Sequence, residues 1–305
     1  MLNWYYNYYI KSVYRMFEKK QPFKYAGHKM LSVEDGNRWI AKKIDSGKPC
    51  CVARFGAIEL ALIRKYIAPI LNEKKIQAGI DAFCQNAGFF PNDYDLAQRY
   101  ALETVQMLKN IDFLINWGNL PMEEYIIKKY MNKNVQIGDK YTNAIDNKGV
   151  HWTSHLKGKR VLVIHPFEET ITSQYYNNRK LLFENDEILP EFEKLYTIKA
   201  VQTIAGEKDD RFKTWFEALE WMYQEALKIN FDVAIIGCGA YGMSLAMKLR
   251  ETGKIAIHMG GYTQLLFGIK GKRWDDLGIY NEYWVRPSKD ETPRQKDLIE
   301  EGCYW

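Results

Sequence analysis

The run Asp232-Val-Ala-Ile-Ile236, followed at once by Gly237-Cys-Gly239-Ala-Tyr-Gly242 and by the helical pattern Met243 to Arg250, constrains this chain more than any other feature. A strand that is apolar on both faces must be covered on both sides, as strands of parallel sheets are. Glycines at its end let the backbone turn tightly into a helix. A second such run, Arg160-Val-Leu-Val-Ile164, stops at His165-Pro166, because proline cannot continue a strand ladder. Cys50 to Ala53 repeats the plan, with a break at Gly56 and a helix from about Ala57 to Lys65. Further strands are predicted at Phe113–Asn116, Tyr196–Val201 and Ile255–His258. Helices are predicted around Trp39–Ile44, over Tyr94–Leu108 and Glu123–Tyr130, through Arg179, and over Phe212–Ile229. This alternation implies an α/β fold: a Rossmann-like, mainly parallel sheet with helices on both faces.

The polar stretch 131–158, with Gly138, Gly149 and Gly158, is expected to join two halves of a domain spanning 25–305. Residues 1–24 place Ile10, Val13, Tyr14 and Phe17 on one helical face and stop at Pro22. They predict an N-terminal amphipathic helix, either packed on the body of the domain or in peripheral contact with a membrane surface.

Composition narrows the function classes. With 47% hydrophobic residues over 305 positions, the chain can fill a core and is not globally disordered. A net charge of +5, from 43 basic and 38 acidic residues, is too thin for a dedicated nucleic-acid binder. Cys50, Cys51, Cys84, Cys238 and Cys303 form no C-x-x-C, so neither a zinc knuckle nor a disulfide framework is indicated, and a reducing cytoplasm is expected. No apolar run approaches the roughly 18 residues of a transmembrane helix.

The glycine turn has G-x-G-x-x-G spacing, which lets backbone approach a phosphate at a helix N-terminus. A dinucleotide enzyme should carry an acid at the end of the next strand, to hold the ribose. Here that strand ends His258-Met-Gly260-Gly261, so the turn argues for a phosphate-bearing ligand other than NAD, or for a packing turn alone. Arg54 and Glu59, flanking Gly56, would face the same crevice if their strand lies close by. Arginine offers a fork for a diphosphate, and the glutamate offers a base or a metal ligand. His165, at the end of its strand, reads as a base, a phosphate donor or a core residue. The run from Gly260-Gly261 through Gln264 to Lys272, Arg273 and Trp274 combines cations, an amide and an aromatic face, which suits a sugar nucleotide. Two spacings carry less. Asp93-Tyr-Asp95 opens a helix, where an acid is the expected cap. His151 and His155 lack a third ligand.

Arg54-Phe-Gly56-x-x-Glu59, Asn86-Ala-Gly-Phe-Phe-Pro91, Ile164-His165-Pro166-Phe167, Gly237–Gly242 and Gly260-Gly261 to Trp274 together resemble the glycosyltransferases of the GT-D fold found in bacterial surface-polysaccharide and glycoprotein biosynthesis. The likeness spans about residues 30–305. It implies transfer of a sugar from a nucleotide-diphosphate donor to a glycan or lipid-linked acceptor, at the inner face of the cell membrane. Glu59 or His165 would act as base. The donor would lie against Arg54, Gly56, Gly237, Gly239, Ala240, Tyr241, Gly242, His258, Gly260, Gly261, Gln264, Lys272 and Arg273. Asn86, Phe89 and Trp274 would touch acceptor or sugar. The best-described branch carries Asp-x-Glu where this chain has Ala57-Ile58-Glu59, a motif that holds manganese or magnesium with the donor. Only Glu59 matches, so metal dependence by that route is in doubt, and Arg54, Lys272 and Arg273 are the charges available to replace it. The rivals are a dinucleotide- or S-adenosylmethionine-dependent enzyme and a nucleotide-sugar-binding module without turnover.

Overall fold

The computed structural model describes residues 24–67, 73–117, 120, 122–145, 151–299 and 302–305. The helix expected over 1–24 lies outside the described residues except for Lys24, which opens the first strand.

The strands are β1 (Lys24–Tyr25), β2 (His28–Leu31), β3 (Cys50–Ala53), β4 (Phe113–Ile115), β5 (Gln136–Gly138), β6 (Arg160–His165), β7 (Lys194–Lys199), β8 (Val233–Ile236) and β9 (Ile255–His258). They form one sheet in the order β1-β2-β5-β4-β3-β9-β8-β6-β7. Every pairing is parallel except β1 with β2. The early strands lie on one side of the β3–β9 pairing and the later ones on the other. The strand-to-helix turns after β3 and β8 are thus separated by a single strand, β9.

The helices are α1 (Val33–Ser46), α2 (Ala57–Ile67), α3 (Glu73–Ala87), α4 (Tyr94–Met107), α5 (Glu123–Tyr130), α6 (Glu168–Asn178), α7 (Trp215–Leu227), α8 (Tyr241–Glu251) and the short α9 (Tyr262–Leu266). β3, β4, β8 and β9 are buried at every residue, as their unbroken apolar runs require. Alternate residues feed opposite cores: Cys51 and Ala53 pack on one face of the sheet, Cys50 and Val52 on the other. Asp93 caps α4, accepting the Leu96 N–H at 2.8 Å, so the D-x-D spacing marks a helix start.

Two segments depart from expectation. The stretch 131–158 is more than a polar connection: it contributes β5, between β2 and β4, and buries Thr142, Asn143, Trp152 and Thr153. Trp152 is fixed there by two bonds: its backbone N–H donates to Asn37 Oδ1 at 2.8 Å and its indole N–H to Asn143 Oδ1 at 3.1 Å. Helix α3 went unpredicted, although Ile76, Ile80, Phe83 and Ala87 form its buried stripe.

Beyond α9, residues 268–305 fold back across the sheet. Ile269 bridges Val285, and the Arg273 N–H donates to the Cys303 carbonyl at 2.9 Å. Buried Glu291 caps α6 by accepting the Glu169 and Thr170 N–H groups at 2.9 and 3.2 Å. These ties carry Tyr304 and Trp305 to the C-terminal edge of the parallel strands.

Candidate active site

At that edge a cleft of about 450 Å³ opens above β3, β9, β8 and β6. This is where parallel α/β sheets bind ligands, because helix N-termini and strand-end loops converge there. Of the residues singled out in the sequence, Arg54, Gly56, Glu59, Asn86, His165, Gly237, Gly239, Tyr241, His258, Gly260, Gly261, Gln264 and Arg273 line it. Phe89, Ala240, Gly242, Lys272 and Trp274 do not.

Arg54 follows β3 directly, and its guanidinium lies 4.0 Å above the Trp117 ring. Among the described residues it makes no hydrogen bond and no ion pair. Burial pushes its pKa down to about 10, against the favourable charges of Tyr304 and Glu59, and nearby Arg273 lowers it further. It is still a cation at neutral pH, held by an aromatic face and open to an anion.

Glu59 lies in the first turn of α2, where a carboxylate suits the helix dipole. Its side chain folds back over Gly56, so closely that a Cβ there would fall 1.8 Å from Oε2. A side chain at position 56 would displace the carboxylate from this placement. Glu59 and Arg54 influence each other without forming an ion pair.

The three glycines of the turn do different work. A Cβ at Gly237 would meet Thr263 Oγ1 at 2.5 Å, and one at Gly242 would meet the His258 ring at 2.3 Å; both are packing positions. Gly239 has φ +54° and only the Ala87 carbonyl at 3.6 Å, so its backbone is open to a ligand. The Tyr241 and Gly242 N–H groups are already donated to the Cys238 and Gly239 carbonyls at 3.2 and 3.1 Å. The phosphate contacts expected over 239–242 thus contract to Gly239.

His165 is not built as a base. Its Nδ1 accepts the Phe167 N–H at 3.0 Å, which places the proton of the neutral ring on Nε2. Burial pushes its pKa down to about 3, so Nε2 stays a hydrogen-bond donor at neutral pH. His258 has the opposite tautomer. Its Nδ1 faces the Ile236 carbonyl at 3.2 Å and donates to it, while burial and then Arg54 hold its pKa at about 3.

Several other expected contacts are structural. Phe89 is 1% exposed, stacked on Phe83 at 4.8 Å within a cluster that includes Tyr100 and Trp215. Trp274 lies beneath Gly261 and Gly271, where a Cβ would strike its ring at 2.8 and 2.7 Å. Gln264 commits Nε2 to the carbonyls of Lys270 and Tyr304 at 3.2 and 3.0 Å, so it knots the loop together rather than offering a donor. Ala240 is buried, and Lys272 is not among the residues that line the cleft. Tyr241 lines the cleft while stacking on Trp215 at 4.9 Å and 6°. Asn86 donates Nδ2 to the Ala82 carbonyl of its own helix at 3.1 Å.

Trp117, Gln202, Tyr304 and Trp305 line the cleft without having been singled out. Trp117 was within reach, since it follows predicted strand β4 at the ligand-binding edge. Tyr304 and Trp305 arrive only through the long return of 268–305.

The described residues do not by themselves make a divalent-cation site. Hard cations at a diphosphate need several carboxylate or similar oxygens. Among the described residues Glu59 is the sole carboxylate of the lining, and Ala57 supplies no ligand. Among the described residues no three His, Cys, Asp or Glu side chains gather as a ligand set. His155 pairs instead with Asp45 at 2.9 Å.

Two solved structures are similar to the chain at 12% identity. One is described as a selenomethionine-substituted structure of domain of unknown function 1792, with TM-score 0.42 and coverage of 92% of this chain and 96% of that one. The other is described as showing that this highly conserved domain has a distinct glycosyltransferase fold, with TM-score 0.43 and coverage of 96% and 93%. No curated protein matches the sequence. No helix among the described residues is long and apolar enough to cross a membrane. Residues 32–266, which carry β3, the glycine turn and the Gly260-Gly261 turn, match the GT-D fold-like domain, and this chain belongs to that family.

Proposed function

We propose that this protein transfers a glycosyl unit from a nucleotide-diphosphate sugar to a hydroxyl of a glycan or lipid-linked acceptor. The observation that carries the reading is Arg54: a cation without hydrogen bond or ion pair among the described residues, beside the open Gly239 backbone and one carboxylate, in the cleft at the sheet edge. In transfer, a bond forms between the acceptor oxygen and the anomeric carbon while the bond from that carbon to the diphosphate oxygen breaks. The electron pair leaves with the diphosphate, whose growing charge Arg54 and the Gly239 N–H stabilise. The acceptor proton passes to Glu59, the only carboxylate of the lining among the described residues. His165 contributes a neutral Nε2–H donor to the same cleft. The family's role in bacterial surface-polysaccharide assembly makes the cytoplasmic face of the membrane the fitting location.

The test joins binding and turnover. Ligand that binds only the native state raises its stability by mass action. A nucleoside diphosphate is therefore expected to raise the Tm more than NAD or S-adenosylmethionine does. Glu59→Gln is expected to stay folded and lose at least about tenfold in transfer, within the range of a general base. Selective stabilisation by NAD or S-adenosylmethionine would replace this reading with a Rossmann enzyme of another class. Unchanged transfer by Glu59→Gln would remove the base from this site.

A further inference from the structure

We infer that the nucleoside end of the donor lies over β6 and β7, where the His165 Nε2–H and the Gln202 side-chain amide hold it. The inference rests on the glycosyl-transfer reading and turns His165 from a candidate base into a binding residue.

The order of the strands sets the direction of the donor. Arg54 follows β3 and Glu59 lies in the first turn of α2, each within reach of the other's charge, while the open Gly239 follows β8. Only β9 stands between β3 and β8, so at about 4.8 Å per strand the two ends are about 10 Å apart, a gap that a diphosphate and the Arg54 side chain can fill together. The phosphate nearer Glu59 carries the sugar, since that carboxylate receives the acceptor proton. The nucleoside then leaves from the Gly239 end, toward β6 and β7, the next two strands of the sheet.

The two side chains found there are polar and uncharged. His165 ends β6, lines the cleft and is 3% exposed. Its Nδ1 accepts the Phe167 N–H, which leaves the proton on Nε2, and Nε2 has no hydrogen-bond partner among the described residues. A buried donor without an acceptor is unfavourable, and a ligand oxygen removes that cost. Burial alone lowers the His165 pKa, whereas Arg54 adds to the effect on His258 at the end of β9, so the field of the arginine fades before β6. Gln202 lies three residues beyond β7, half-buried in the lining, and its amide makes no hydrogen bond among the described residues. Its neighbours are pinned: the Ala200 N–H donates to the His165 carbonyl at 3.1 Å, and Thr203 Oγ1 donates to the Gly88 carbonyl at 2.6 Å. Phe167 and Ile204 add apolar surface to the same wall. A fixed donor, an amide that both donates and accepts, and apolar faces match the hydroxyls of a ribose and the edge and face of a base. A phosphate would call for cations instead.

Isothermal titration of the full chain with inorganic pyrophosphate, UDP, GDP, CDP, UDP-glucose and UDP-N-acetylglucosamine, with and without magnesium chloride, tests this. At least one nucleoside diphosphate is expected to bind about tenfold or more tightly than pyrophosphate. His165→Asn keeps an acceptor for the Phe167 N–H but ends short of Nε2, and Gln202→Ala removes the amide from a segment held by its neighbours. Each is expected to weaken nucleoside diphosphate binding by at least about fivefold, the size of one hydrogen bond, and to leave pyrophosphate binding within about twofold of the parent. Unliganded Tm values separate lost contacts from lost folding, and Gln202→Ala decides alone if His165→Asn melts early. Parental nucleoside diphosphate affinity in these variants overturns this inference and leaves the proposed function standing. So does an equal loss for pyrophosphate, a loss seen only with the two nucleotide sugars, or a parent that binds no nucleoside diphosphate better than pyrophosphate. Failure of every phosphate probe to bind overturns both.

Discussion

The two ends of the parallel sheet treat arginine in opposite ways. At the end where the strands begin, Arg250 on α8 grips Asp112 through Nε and Nη2, both at 3.1 Å, and Asp112 also accepts the Cys51 N–H of β3. Arg160 grips Asp232 in the same manner, at 3.2 and 2.6 Å, fastening β6 to β8. These bonds push both arginine pKa values up. At the opposite end, Arg54 has an aromatic ring in place of a carboxylate, and burial pushes its pKa down. The paired end closes the structure on itself; the unpaired end leaves charge to be satisfied by something that binds. A cation kept partly buried without a carboxylate costs stability, and its retention in the cleft is understandable if an anionic ligand repays that cost.

Swapping the two environments gives the largest expected effects. Arg54→Ala should lower nucleoside diphosphate affinity by about 100-fold or more, the size of a charge-assisted bidentate contact, while the Tm of the free protein stays level or rises. Arg250→Ala should do the reverse, losing about 1–2 kcal/mol of stability because Asp112 is left half-satisfied, with ligand affinity unchanged. Calorimetry and titration on the same two variants would show it, and a common phenotype would erase the distinction between the ends.

The same contrast runs through the glycine turn at smaller scale. Gly242→Ala drives a methyl into the His258 ring and should cost about 1–3 kcal/mol by overpacking. Gly239→Ala meets nothing closer than 3.6 Å and should cost about 1 kcal/mol for its positive φ, with the larger loss in phosphate affinity. Denaturant midpoints set beside binding constants separate the two. Equal ratios of stability loss to affinity loss would mean that the turn is wholly a packing device.

The smallest effect concerns a buried acid that no arginine holds. Glu123 on α5 is fully buried and, among the described side chains, accepts only the Tyr25 hydroxyl at 2.9 Å, and burial pushes its pKa up to about 7. Below the unfolded value of about 4.5 both states are protonated. As pH rises from there to about 7, the unfolded chain ionises first, so Glu123 draws stability away; above 7 the loss levels off. Glu123→Gln should therefore gain on the parent by about 1 kcal/mol at pH 8, less at pH 5, since the amide keeps the shape but needs new partners. A Tm difference that does not narrow between those two pH values would show that Glu123 is ionised in the folded protein, paired as the carboxylates of the opposite class are.

What could be read from the chain alone was whatever depends on neighbours in sequence. The strands Cys50–Ala53, Arg160–His165, Val233–Ile236 and Ile255–His258 announced themselves because each carries an unbroken apolar run with a glycine or proline within three residues of its end. Asp93 could be assigned to a helix cap because the bond spans three residues. Convergence of Arg54, Glu59, Gly239 and His165 followed from one topological rule about parallel sheets. The chemical state of those residues did not follow. His165 became a donor because the Phe167 amide takes its Nδ1, Gln264 was absorbed by Tyr304 40 residues away, and Trp274 vanished under Gly261. Tyr304 and Trp305 entered the cleft through contacts no local pattern encodes. Backbone periodicity is written by short-range sterics and burial, so the order of strands and turns belonged to the sequence. A side chain's charge, tautomer and free valence depend on which distant groups desolvate and bond it, and those only the tertiary structure decided.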